Sequence, residues 1–70
     1  MKESAVNDLV AFVGRFGLSN KEAEVLPALF DNAASKVGRS AEQLVCDATY
    51  HNRELGEYLA SIAKTVAAQV

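Results

Sequence analysis

Residues 17–22 read GLSNKE and residues 38–43 read GRSAEQ, so one pattern occurs twice: a glycine, a serine two residues later, and Glu or Gln three residues after the serine. Glycine readily adopts the left-handed backbone conformation that ends many helices. A serine followed three residues later by Glu or Gln forms a capping box, in which each side chain accepts a hydrogen bond from the other residue's backbone N–H. Each stretch therefore predicts the end of one helix and the start of the next.

Apolar residues recur every three or four positions on both sides of these stretches, which predicts helices along the whole chain. The first helix is expected to have Ser4 as its N-cap and to stop at Gly17. Between the two stretches, Pro27 removes a backbone hydrogen bond from the helical pattern. We expect a kink or a short break near Leu26, with a capped turn before it and a full helix after it.

The segment that follows Ser40 allows two interpretations. Its apolar pattern is interrupted at His51 and Asn52. Either one long helix turns these polar side chains towards the core, or two helices meet there and Asn52 caps the second. Asn is among the best N-cap residues, and residues 49–52 are poor in strong helix formers, so we favour two helices.

Size and composition bound the fold. The chain has 70 residues, of which 50% are hydrophobic. A domain of about this size buries only roughly 60% of the surface of its unfolded chain, so it has no room for so many apolar side chains. We predict a single domain over residues 1–70, an all-α bundle of three to four short helices whose apolar surplus is covered by homodimerisation.

The inventory of reactive side chains argues against catalysis. His51 is the single histidine, and Asp47 precedes it by four residues, a spacing that is typical of an ordinary pair on a helix surface. Cys46 and His51 lie on different faces of a helix and are too few to hold a metal. The four glycines are scattered and form no phosphate-binding loop. We therefore expect no enzyme, no cofactor, no metal and no small-molecule substrate.

Charge and hydropathy limit the partners. The net charge is −2, whereas proteins that coat nucleic acid or membrane surfaces usually carry a basic excess. No stretch has the length and apolar character of a membrane span or a signal peptide. A single cysteine suits a reducing compartment, which predicts a cytoplasmic protein.

The junction between the second and third segments carries a resemblance. Ala34, Gly38 and Leu44 are spaced as in the helix-turn-helix of bacterial DNA-binding proteins, and the junction resembles that family. The resemblance implies four DNA-contacting residues: Arg39, Ser40, Gln43 and Arg53. The helix that begins after Ser40 would also present Glu42 and Asp47 to the DNA. Phosphates repel carboxylates, so charge disfavours nucleic acid as a partner.

The same junction, together with Pro27, is also similar to the paired helices of ribbon-helix-helix repressors. That family requires a strand before the first of its helices, which here would fall on residues 21–26. The capping box that begins at Ser19 predicts a helix at this place instead.

Our leading hypothesis is a small non-enzymatic protein that acts by protein–protein contact, as a homodimer or with another protein. The expected contact residues lie on the last helix: Leu55, Leu59, Ile62, Val66 and Val70. The alternative face lies on the first helix: Val10, Val13 and Phe16. Both sets are also candidate core residues, and the alanines of the last helix suit close packing either in a core or at a dimer contact.

Two other functions compete with this hypothesis. One is a small DNA-binding transcriptional regulator or antitoxin-like protein that uses the helix-turn-helix around Gly38. The other is an inhibitor whose acidic face blocks a basic enzyme site, which the size and the net charge of −2 fit equally well.

Overall fold

The computed structural model describes residues 3–69, which form five α-helices and contain no strand. The helices are α1 (Glu3–Phe16), α2 (Asn20–Glu24), α3 (Leu26–Val37), α4 (Ala41–Cys46) and α5 (Arg53–Ala68). A single π-helical turn, Asp47–His51, continues α4 towards α5. The predicted all-α fold is confirmed.

Both predicted capping boxes are present. The Ser19 hydroxyl accepts a hydrogen bond from the Glu22 N–H at 3.2 Å, and the Glu22 carboxylate accepts one from the Ser19 N–H at 2.8 Å. The Ser40 hydroxyl and the Gln43 amide oxygen make the equivalent bonds at 3.2 and 3.4 Å. The glycine before each box has a positive φ, of 62° and 69°. Local sequence therefore determines both of these helix boundaries.

The expected break before Pro27 falls at Val25. Pro27 occupies the first turn of α3, where its missing N–H costs no helical hydrogen bond. This break separates α2 from α3 and accounts for the fifth helix. Residues 21–26 are helical apart from the turn at Val25, so the strand of a ribbon-helix-helix protein is absent there. α1 begins at Glu3, so the prediction that Ser4 caps it was wrong.

The interruption before α5 is a true helix boundary. Asn52 has an extended backbone, with φ −133° and ψ 91°, and its side-chain oxygen accepts a hydrogen bond from the Leu55 N–H at 3.1 Å. The Asn52 N–H donates to the Asp47 carbonyl at 2.7 Å, which closes the π-helical turn. The prediction of two helices with Asn52 as the second N-cap is confirmed.

The core lies where α1, α3, α4 and α5 meet. Phe12 and Phe30 are fully buried, and their ring centroids lie 5.3 Å apart at 86°, an edge-to-face contact. Phe16 also packs on Phe12, with ring centroids 4.7 Å apart. Thr49 of the π-helical turn is buried, and its hydroxyl donates to the Val45 carbonyl at 2.7 Å.

Candidate functional site

The two faces of α5 differ in the size of their side chains. The face that packs into the core is made mostly of small residues: Gly56, Leu59, Ala60, Ala63 and Ala67. Three of the four alanines of this helix therefore serve core packing, and Ala68 is exposed. Among the residues predicted to form an interface, Leu59 belongs to this buried set, at 2% exposure.

The other predicted interface residues of α5 lie at the edge of the core. Leu55 and Ile62 are half-buried and pack against core residues. Val66 is 36% exposed further along the helix. Val70 lies outside the described residues. Of the predicted contact residues that the structure describes, Leu59 therefore lies in the core, and the other three are partly exposed.

Leu55 and Ile62 line an apolar groove between α3 and α5 that has a volume of about 330 Å³, and Val66 lies outside its lining. Its apolar walls are formed by Leu29, Ala33 and Val37 of α3 and by Leu55, Tyr58 and Ile62 of α5. Val37 and Tyr58 protrude most, at 61% and 65% exposure. The polar lining residues are Asn32 and Lys36, both on the α3 side. The groove is therefore a largely apolar depression flanked by two prominent apolar side chains.

A second groove, of about 270 Å³, lies between α1 and α2 and contains part of the alternative predicted face. Val10 and Val13 line it, and Val10 is 67% exposed. Phe16 does not line it, because its ring packs against Phe12 and close to Gly56. The three residues of the alternative face therefore do not form one surface.

Two of the four candidate DNA contacts are polar residues that already bond to each other. Ser40 and Gln43 form the capping box of α4, which occupies the side-chain oxygen of each. Both residues are exposed. A base or a phosphate would have to compete with these local hydrogen bonds.

The two basic candidates contact carboxylates. The Arg39 guanidinium lies 3.4 Å from the Asp47 carboxylate, and the Arg53 guanidinium lies 3.0 Å from that of Glu57. The Arg53 and Glu57 side chains are largely accessible to solvent, and those of Arg39 and Asp47 are 47% and 27% exposed, so each pair is in contact with water and is weak. Both basic candidate residues are therefore already accompanied by a carboxylate.

Asp47 contacts Arg39 and makes no hydrogen bond with His51, which is exposed on the π-helical turn. Among residues 3–69, no group of three or more His, Cys, Asp or Glu side chains is arranged to hold a metal ion. Cys46 is half-buried and has a free thiol. Cys46 and Asp47 are thus both half-buried neighbours of the exposed His51.

Sequence reasoning missed a contact that joins α1 to the π-helical turn. The Tyr50 hydroxyl donates to the Asp8 carboxylate at 3.4 Å. Loss of hydration raises the pKa of Tyr50, and the neighbouring negative charge of Asp8 adds to the rise. The two residues are 42 positions apart, and no local pattern marks either of them.

No protein-family model, no curated protein and no solved structure matches this chain. Within residues 3–69, no helix has the combined length and apolar character needed to cross a lipid bilayer. The function is therefore inferred from the surfaces of the molecule.

Proposed function

We propose that the protein acts by protein–protein contact as a homodimer, with no chemistry of its own, and that the α3–α5 groove forms the dimer contact. The main support is the groove itself, a largely apolar depression beside the exposed side chains of Val37 and Tyr58. Exposed apolar surface that is continuous with a groove is typical of an interaction site. Tyrosine is also among the residues enriched at the centres of interfaces.

The shape of this surface favours a second copy as the occupant. In a twofold symmetric dimer the same patch faces itself, so it must supply both the protruding and the receiving side chains. The groove meets this condition, because Tyr58 and Val37 protrude beside a recess between Leu29 and Ile62. Each protomer then inserts its exposed side chains into the partner's groove.

The area required for a stable contact is available. A standard interface buries about 800 Å² on each partner. The described surface totals 4365 Å², so such a contact covers roughly a fifth of it. The groove supplies the centre of this area, and the exposed residues along α3 and α5 supply its rim. We assign the homodimer to the cytoplasm, where the unpaired thiol of Cys46 stays reduced.

The test compares two valines that have nearly equal exposure on different surfaces. Val37→Lys places a charge beside the α3–α5 groove, and Val10→Lys places the same charge beside the α1–α2 groove. Dissociation constants come from sedimentation velocity over a dilution series. We expect Val37→Lys to raise the dimer dissociation constant at least about tenfold, since it buries an unpaired charge. Val10→Lys is expected to leave it unchanged.

Other outcomes of this experiment identify which part of the proposal fails. If the wild-type protein sediments as a monomer at the highest concentration, the homodimer is wrong. If Val10→Lys dissociates the dimer and Val37→Lys does not, the contact lies on the α1–α2 surface instead. Circular dichroism melting of each variant separates loss of association from loss of folding.

DNA binding through the α3–α4 junction is the second candidate function. It is supported by the tight turn between these helices, where Gly38 has a φ of 69°. It ranks second because Arg39 and Arg53 are accompanied by carboxylates. An amide-resolved NMR titration with duplex DNA at about 50 mM salt tests it. Shifts clustered on residues 36–53 would favour a DNA-binding regulator, and an unchanged spectrum would exclude this role.

A further inference from the structure

The two walls of the α3–α5 groove differ in charge. Among the described residues that line the groove, Lys36 on α3 is the one that carries a charge. On the α5 side, Glu54 precedes Tyr58 by four residues and therefore lies beside it on the same helix face. Lys36 and Glu54 are both exposed, and neither forms an ion pair with another of residues 3–69. The α3 wall thus carries an available cation, and an available anion lies beside the α5 wall, next to Tyr58.

The other charges of these two helices lie away from the groove or are already paired. Lys64 and Asp31 are each roughly half a helical turn away, around their helices, from the groove residues Leu55 and Leu29. Glu57 is held by an arginine on its own helix at 3.0 Å. Lys36 and Glu54 are therefore the two charges placed to meet an occupant of the groove.

We infer that the homodimer is held in register by a reciprocal ion pair, in which Lys36 of one protomer contacts the partner's Glu54. This inference rests on the proposed homodimer. Twofold symmetry duplicates every contact, so one such pair implies a second, between Glu54 of the first protomer and the partner's Lys36. Opposite charges on the two walls therefore complement each other when two copies meet face to face.

Charge reversal provides a specific test. In a homodimer of Lys36→Glu, two carboxylates meet at both contacts, and in a homodimer of Glu54→Lys two ammonium groups meet at both contacts. We expect each single variant to raise the dimer dissociation constant about tenfold. When the two single variants are mixed, each contact of the mixed dimer again joins one acid and one base. The mixture is therefore expected to return to within about threefold of the wild-type value.

Mixing separates pairing between protomers from the effects that each substitution has within its own protomer. A pair formed within one protomer stays broken in each variant after mixing, so recovery requires contact between copies. Helix-end effects also persist after mixing, because each substitution places an unfavourable charge near one end of its helix. Lys64→Glu is the control for net charge, and we expect less than a twofold change from it.

The outcomes distinguish this inference from the proposed homodimer on which it rests. Wild-type protein that remains a monomer overturns both. A wild-type dimer whose dissociation constant is insensitive to Lys36→Glu and Glu54→Lys overturns the ion pair and leaves the homodimer standing. Single variants that dissociate and show no recovery on mixing also overturn the ion pair. Recovery on mixing, together with a weaker wild-type dimer at high salt, supports it.

Discussion

The core face and the groove face of α5 use apolar residues in opposite ways. On the core face, small residues let the helix approach its neighbours closely, and Gly56 lies almost against the π-helical turn. On the groove face, the larger side chains of Leu55, Tyr58 and Ile62 remain partly uncovered. Apart from Leu59, the buried side chains of this helix are small, and its partly uncovered apolar side chains on the groove face are large.

The largest expected loss of stability comes from one of two aliphatic residues of α5, each truncated to alanine. Leu59 is buried at 2% exposure, and Ile62 is half-buried at the groove. We expect Leu59→Ala to lower the free energy of unfolding by about 3 kcal/mol and Ile62→Ala by about 1.5 kcal/mol, since the cost follows the apolar surface and the cavity lost. Urea denaturation measures both. Equal losses would mean that Ile62 is as fully enclosed as Leu59.

A second comparison uses two glycines inside helices. A Cβ at Gly56 would lie 2.5 Å from the Ala48 carbonyl oxygen and 2.5 Å from the Phe16 ring, whereas a Cβ at Gly14 meets nothing within 4 Å. We expect Gly56→Ala to lower the free energy of unfolding by about 2 kcal/mol, because overpacking against backbone exceeds the gain in helix propensity. Gly14→Ala is expected to raise it by about 0.5–1 kcal/mol. A stabilising Gly56→Ala would contradict the close approach of α5 to the π-helical turn.

The smallest expected change in folding stability comes from Tyr58→Ala on the groove face. Tyr58 is 65% exposed, so its removal is expected to change the free energy of unfolding of the monomer by less than about 0.5 kcal/mol. At an interface the same truncation is costly, and we expect the dimer dissociation constant to rise about 30-fold. Unfolding at low protein concentration and sedimentation over a dilution series measure the two effects separately. A large loss of monomer stability would place Tyr58 in the core.

Sequence reasoning succeeded where a few neighbouring residues determine the outcome. The two capping boxes, the break ahead of Pro27 and the N-cap at Asn52 all depend on hydrogen bonds or ring geometry within four residues. Each of these features was therefore predictable from a short stretch, and together they define the all-α fold.

The candidate site was less predictable. Helical periodicity indicates which way a side chain points, but it does not indicate how far neighbouring helices bury that side chain. Leu55 and Leu59 share one face of α5 and both line the groove, yet Leu59 is buried whereas Leu55 is half-buried. The role of Gly56 depends on Ala48 and Phe16, which lie 8 and 40 positions away in the sequence. Contacts of this kind depend on tertiary packing, and no short pattern encodes them.

The walls of the two grooves differ in their resistance to local opening, because α2 is short. α2 has five residues and buries none of them, whereas an isolated helix needs about 12–15 residues to be even marginally stable. Its capping box and its contacts with α5 and α3 therefore supply nearly all of its resistance to local opening. We therefore expect α2, one wall of the α1–α2 groove, to open locally more often than either wall of the α3–α5 groove.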